Sequence, residues 1–204
     1  KIYFVLGALF CVSLVTGNLI FQKIVVLSLG VREFEISAGA VLYPLTFLLT
    51  DLISEFYDRS YADTVVKTGI LASIFVMSII HLTSFLPAAA WSPVDKKMFN
   101  DVFGNFGLGF LSSVLAAAIA QFADIRFFKF LKYQTKGKHL WLRNNVSTII
   151  AQTLDTAVVL SILSFFGVFP WDQLFLLFIN TLVFKYIFAL ADTPFFYLGV
   201  YLIK

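Results

Sequence analysis

Trp141–Thr156 reads WLRNNVSTIIAQTLDT and heads a long apolar run. Within it Asn145, Thr148, Gln152 and Asp155 recur at intervals of three, four and three residues, which on an α-helix sets all four side chains on one face. The segment continues as AVVLSILSFFGVF, Ala157–Phe169, with hardly a polar group. A polar stripe on so greasy a helix has to face the inside of a bundle or something bound there.

The whole chain repeats this pattern. Of 204 residues, 60% are hydrophobic and 13% charged, and the mean hydropathy is +0.90. Apolar runs of helical length recur from end to end, so no polar exterior can be assembled. The expected class is an all-α integral membrane protein. A net charge of +3 raises the question of nucleic acid. The basic residues, however, lie in gaps between apolar runs and form no patch with polar neighbours, so no nucleic-acid partner is expected. Cys11 is the single cysteine, which excludes an intrachain disulfide and a cysteine-based metal site. Thr16, Gly17, Asn18 and Gln22 extend the first apolar run with polar residues, unlike a cleaved secretory signal. Beginning at Lys1 with no methionine, the sequence is expected to lack its first residues.

A membrane span needs about 20 mainly apolar residues. Six segments qualify: Ile2–Gln22, Ala38–Phe56, Ala62–Leu86, Val102–Leu131, Leu142–Val168 and Asp172–Ile203. The expected fold is therefore one domain, residues 1–204, built as a bundle of six transmembrane helices. Between the first two spans KIVVLSLGVREFEIS alternates polar and apolar residues around Gly30, which reads as a small hairpin or interfacial flap. WSPVDKKMFND and VFPWD link later pairs, their prolines and tryptophans marking where helices leave the hydrocarbon. Ten of the fifteen Lys and Arg residues fall on one side of this arrangement, including Arg59, Arg126 and the QTKGKHLW loop. Four, Lys23, Arg32, Lys96 and Lys97, fall on the other, and Lys185 lies inside a span. The positive-inside rule then places both termini in the cytoplasm.

Charges at mid-membrane cost about 2.5–3.5 kcal/mol each on insertion scales, so they face a bundle interior and mark function by default. Asp155 and Lys185 each lie about 20 Å into antiparallel spans, at matching depths, and an ion pair between them would relieve both. That pair could read a ligand or merely hold two helices together. Asp51 and Glu55 share a face one turn apart in PLTFLLTDLISEFYD, where Glu55 could also pair with Arg59 or Lys67. Gln121 and Asp124 repeat a polar pair in the fourth span, below the small residues Ala116, Ala117, Ala118 and Ala120. Asn18 and Gln22 form an amide pair in the first. Asp192, seven residues beyond Lys185 and just before Pro194, serves either a helix distortion or a ligand. The candidate binding residues are thus Asp155, Gln152, Thr148, Asn145, Lys185, Asp51, Glu55, Asn18, Gln22 and Gln121.

Other chemistries find no footing. No G-x-x-x-x-G-K-[ST] loop for nucleotide phosphates is present, no H-E-x-x-H metal site, and the aspartates lack the glycine-rich setting of an intramembrane protease. No catalytic residue, metal or cofactor is expected.

Four segments, PLTFLLTDLISEFYD, AAAIAQFADIRFFKFLK, WLRNNVSTIIAQTLDT and NTLVFKYIFALADTP, in this order and spacing, resemble the queuosine-precursor transporter family, also called the vitamin-uptake-transporter family. The resemblance runs from Asn18 to Pro194. It implies a small multi-pass inner-membrane protein of six helices that imports 7-deazaguanines such as preQ0 and preQ1, or queuine or queuosine, for tRNA modification. One departure is Asp58, where the family often has glycine, which raises a question about the local turn.

Such a base presents adjacent N–H donors and a carbonyl acceptor. A carboxylate, Asp155 or Asp51, can accept from both donors, while an amide from Asn18, Gln22, Gln121 or Gln152 donates to the carbonyl. Three alternatives stay open: a stand-alone carrier with proton coupling through Asp155 or Glu55, a substrate-binding subunit of a multi-component vitamin transporter with energising partners, and an intramembrane enzyme. The bilayer and a purine-like small molecule are the expected partners, with a homo-oligomer or energising subunits as the open question.

Overall fold

The computed structural model describes the chain except for residues 21, 22, 30, 31, 104–106, 168, 169, 173 and 204. Helix α1 (Ile2–Ile20) leads into an antiparallel hairpin of β1 (Ile24–Leu29) and β2 (Arg32–Ser37). A 3₁₀ turn over Ala38–Leu42 then enters α2 (Tyr43–Phe56), followed by α3 (Arg59–Ser84). The short α4 (Lys96–Phe103) precedes α5 (Gly107–Gln134), α6 (Leu140–Phe165) and α7 (Leu174–Ile203). The alternation noted around Gly30 does form a hairpin, with Ile24 opposite Ser37 and Leu29 opposite Arg32. Its base is closed by the Ala38 amide donating to the Lys23 carbonyl at 2.7 Å. The turn itself, residues 30 and 31, lies outside the described residues.

Among the described residues, α1, α3, α6 and α7 are the four helices long and apolar enough to cross a membrane. The shorter α2 has 14 residues and Pro44 in its first turn, where a missing N–H costs nothing. The 28 residues of α5 carry Gln121, Asp124, Arg126, Lys129 and Lys132 in their second half. Each of the six apolar segments overlaps one of α1, α2, α3, α5, α6 and α7, although Ala38–Phe56 begins with the 3₁₀ turn before α2 and Val102–Leu131 begins at the end of α4, five residues before α5. What hydropathy did not disclose is α4, whose eight residues are too few and too polar to register as anything but a link.

The distribution of side chains is inverted relative to a water-soluble protein. Helix α6 buries Arg143, Asn144, Asn145, Ser147, Thr148, Gln152, Asp155 and Thr156, while α3 exposes Leu71, Ile74, Phe75, Ile79 and Leu82, and α7 exposes Phe175, Leu176, Phe195, Leu198 and Leu202. Only an apolar solvent makes that arrangement favourable. The polar face of α6 packs chiefly against α5 and α7. The α5–α6 turn is tight: the Gly137 amide reaches back to the Lys132 carbonyl at 2.9 Å, and Lys136, Gly137 and His139 all adopt positive φ. This closes α5 as a Schellman cap does.

Elsewhere the helices approach through small residues and bury Phe10, Leu14, Ile53, Val66, Phe128 and Phe196 between α1, α2, α3, α5 and α7. The α1–α3 contact depends on Gly69, where a Cβ would come within 2.7 Å of the Phe10 ring. Asp58 precedes α3 in an extended conformation, φ −70° and ψ 156°. Any residue adopts that backbone, so the absence of a glycine there carries no conformational cost.

Phe10 is fully buried and has nowhere to retreat. Gly69→Ala should therefore lower stability by about 1–3 kcal/mol, the usual cost of overpacking a tight core. Thermal unfolding in detergent reads this directly, and adding Phe10→Leu should recover part of the loss. An unshifted midpoint for Gly69→Ala would mean that α1 and α3 are not packed this closely.

Candidate functional site

Helix α2 carries Tyr43, Thr46, Thr50, Asp51 and Glu55, each of which meets a partner from another helix, while the Ser54 hydroxyl is buried with no partner among the described residues. From Tyr43 to Glu55 this column runs about 18 Å along the axis at 1.5 Å per residue. It divides into four layers.

The first layer contains the ion pair. Lys185 Nζ of α7 donates to Asp155 Oδ2 of α6 at 2.5 Å and to Thr156 Oγ1 at 3.0 Å. The Tyr43 hydroxyl makes a long hydrogen bond of 3.5 Å to the other oxygen, Asp155 Oδ1. The Lys185 ammonium also lies 5.2 Å from the centre of the Tyr43 ring, within cation–π range. Ser113 of α5 touches Tyr43 and donates to Asn18 Oδ1 of α1 at 2.9 Å. Residues of five helices thus form one network around the Asp155 side chain, which is 3% exposed. Asn18 Nδ2 is buried with no acceptor.

The second layer is a clamp. Gln121 Nε2 of α5 donates to Thr46 Oγ1 at 3.1 Å, and Thr50 Oγ1 donates to Gln121 Oε1 at 3.1 Å. With both ends of its amide engaged by α2, Gln121 joins helices in this conformation. Gln152 differs: 2% exposed and three residues before Asp155 on the same face of α6, its Oε1 has no donor.

In the third layer Asp51 of α2 meets Asp124 of α5. Both are fully buried. The fourth layer lies at the end of α2. Glu55 accepts from Lys132 Nζ at 2.8 Å and from Arg143 Nη1 at 2.8 Å. The Arg143 guanidinium sits 5.3 Å from the Phe128 ring centre. Lys129 and Lys132 further donate to the backbone carbonyls of Tyr57 and Glu55, at 2.8 and 2.7 Å.

Of the residues singled out from sequence, Asp155 and Lys185 are brought into direct contact, and Asn18 joins them through Ser113 and Tyr43. Thr148 and Gln152 are buried on the same face of α6. Asn145, also on that stripe, donates to the Trp141 carbonyl and to Thr193 Oγ1 of α7, each at 2.8 Å, which ties the start of α6 to the turn around Pro194. Glu55 is partnered by α5 and α6 instead of Arg59, which pairs with Asp63 at 3.3 Å. Gln22 lies outside the described residues. Sequence reasoning missed Tyr43, Ser113 and Thr156, which are too ordinary to stand out singly. Arg143 entered only the count of the ten basic residues on one side, although the residue is 1% exposed.

Residues 37–199 match the family model described as "Putative vitamin uptake transporter". The chain is 30% identical over 163 residues to a protein of Bacillus subtilis (strain 168) named "Probable queuosine precursor transporter", covering 78% of this chain and 69% of that one. No solved structure matches it.

A contact at 2.5 Å between Lys185 and Asp155 implies energetic coupling. A double-mutant cycle with Lys185→Met and Asp155→Asn, read by thermal stability, should give a coupling of about 0.5–3 kcal/mol. Each single variant leaves a lone buried charge or an orphaned cation and should be the worse for it. The double variant should regain expression yet remain inactive. Additive effects would mean that the two groups do not touch in the membrane.

Proposed function

The chain belongs to the vitamin uptake transporter family, and on that premise we propose that it imports queuosine precursors, 7-deazaguanine bases such as preQ0 and preQ1, across the inner membrane. The observation that carries the substrate class is the buried Lys185–Asp155 pair. The recognition edge of a 7-deazaguanine runs acceptor, donor, donor: a carbonyl oxygen, a ring N–H and an exocyclic amine. An ammonium beside a carboxylate offers the complement, with Lys185 toward the carbonyl and Asp155 toward the two N–H groups. Both contacts are charge-assisted, and in a dry site such bonds are strong. The free Gln152 Oε1 supplies a further acceptor, and Tyr43 a ring face for stacking.

Without substrate, Lys185 and Asp155 neutralise one another. A base entering between them replaces one charge-assisted contact with three hydrogen bonds while leaving both charges compensated. The fourth layer, closed by Glu55, Lys132 and Arg143, serves as the cytoplasmic barrier in this reading, to be opened in the other half of an alternating-access cycle. Six spans follow if α2 with its 3₁₀ lead, and α5, cross alongside the four long apolar helices. Both termini are then cytoplasmic, with α4 and the β1–β2 hairpin on the outer face. Uptake by the purified protein in liposomes distinguishes a stand-alone carrier from a substrate-binding subunit that needs energising partners.

Asp155→Asn keeps the size of the side chain but cannot accept two adjacent donors as a charged group. It should lower preQ0 and preQ1 uptake at least about tenfold, since bonds to charged groups contribute about 1.5–3 kcal/mol, and by more than it lowers expression. Wild-type uptake by this variant would remove Asp155 from the binding site. For topology, Lys97→Cys in a Cys11→Ser background should react with an impermeant maleimide from outside intact cells. Protection there, with labelling in the 135–139 loop, would invert the orientation.

A further inference from the structure

The third layer of the column is left over once the bases have been given the first. The Asp51 and Asp124 carboxyl groups meet between two cross-links that fix the register of α2 on α5: Thr50 to Gln121 at 3.1 Å on one side and Glu55 to Lys132 at 2.8 Å on the other. Both side chains are 0% exposed, and none of their four oxygens has a hydrogen-bond donor among the described residues. Ser147 of α6 lies beside Asp124, but its hydroxyl donates to the Asn144 carbonyl at 3.3 Å.

The charged groups that reach the pair are Arg143 from α6 and Asp192 from α7, with Glu55 and Lys132 at the next layer. Arg143 is committed to Glu55 through Nη1 and Nη2, at 2.8 and 3.5 Å. Its Nε is buried and has no acceptor. Two carboxylates in contact, out of water and without a donor, cannot both be ionised. A proton on one of them supplies the missing donor. The charge balance points to one proton and not two: Lys129, Lys132 and Arg143 against Glu55 and Asp192 leave one positive charge over, and a singly protonated pair carries one negative charge. A metal ion would demand more oxygen ligands than two aspartates provide, and among the described residues no cluster of metal-ligating side chains is present.

We propose that Asp51 and Asp124 together bind one proton, and that this proton crosses the membrane with the substrate. The proposal rests on the transport reading and adds the coupling ion to it. Loss of the proton toward the cytoplasm leaves two adjacent carboxylates and frees Asp51 to seek the unpartnered Arg143 Nε. That draws Arg143 from Glu55 and opens the fourth layer. Protonation restores the closed arrangement. The one bond broken and remade is a carboxyl O–H, whose proton passes to water on the cytoplasmic side and is replaced from the outer side.

Two measurements test this. In the infrared spectrum of the purified protein at neutral pH, wild type minus the Asp51→Asn/Asp124→Asn double variant should show one neutral carboxyl C=O band that downshifts in D₂O. In proteoliposomes with the membrane potential clamped at zero, a gradient of one pH unit, acid outside, should let wild type accumulate preQ0 to about tenfold, the limit for one proton per neutral substrate. The double variant should at most equilibrate it. Should that variant misfold, each single Asn variant, which keeps a carboxyl–amide bond in place, is read by the same accumulation. Absence of the infrared band, accumulation driven by a sodium gradient instead, or undiminished accumulation by the variants each overturns the proposal. A wild type that neither binds nor equilibrates preQ0 refutes the transport reading, and the infrared band then decides the shared proton alone.

Discussion

The membrane's inability to solvate charge governs this molecule. In water a Lys, an Arg or an Asp can turn outward at no cost, whereas in hydrocarbon each must be matched inside the protein or pay the full desolvation penalty. The Lys185–Asp155 contact is one instance, and the other layers along α2 follow the same requirement. Apolar packing makes little distinction between helix neighbours when lipid is as apolar as leucine. The polar contacts are what select which helix lies beside which, and in what register.

That constraint also explains how much could be read from the sequence. Helix positions were legible because hydropathy reports directly on lipid contact, and the Asn145, Thr148, Gln152, Asp155 stripe was legible because a polar face on a greasy helix has few reasons to exist. Equal depth from the nearest span ends sufficed to match Lys185 with Asp155. Lateral neighbours were not legible. Depth alone could not say that Glu55 would meet Arg143 across the α5–α6 turn instead of Arg59 four residues away, nor that Asp51 and Asp124 would face each other. Arg143 misled because a basic residue at the start of a span resembles a lipid-facing anchor until the tight turn at Lys136–His139 folds it inward. Tyr43 and Thr156 became notable only by what they touch.

The interior is unevenly satisfied. Gln121 has both ends of its amide bonded to threonines, and Glu55 has two cations. Gln152 Oε1, Asn18 Nδ2 and the Asp51 and Asp124 oxygens lack partners. Buried polar atoms are ordinarily paired in native proteins. On the transport reading proposed above, the saturated groups are scaffold, and Gln152, Asn18, Asp51 and Asp124 stand where substrate or a proton would supply what is missing.

One helix enters every layer. Tyr43, Thr46 with Thr50, Asp51 and Glu55 all stand on α2, a rigid rod of 14 residues joined to α3 by little more than the extended Asp58. A rigid rod passes any sliding along its axis, or rotation about it, to every group it carries. Axial sliding or rotation of α2 would disturb its contacts with Asp155, Gln121, Asp124 and Arg143 together. On the transport reading proposed above, a displacement of α2 begun at one end of the site is therefore felt at the other, and the layers answer to one another through this single segment.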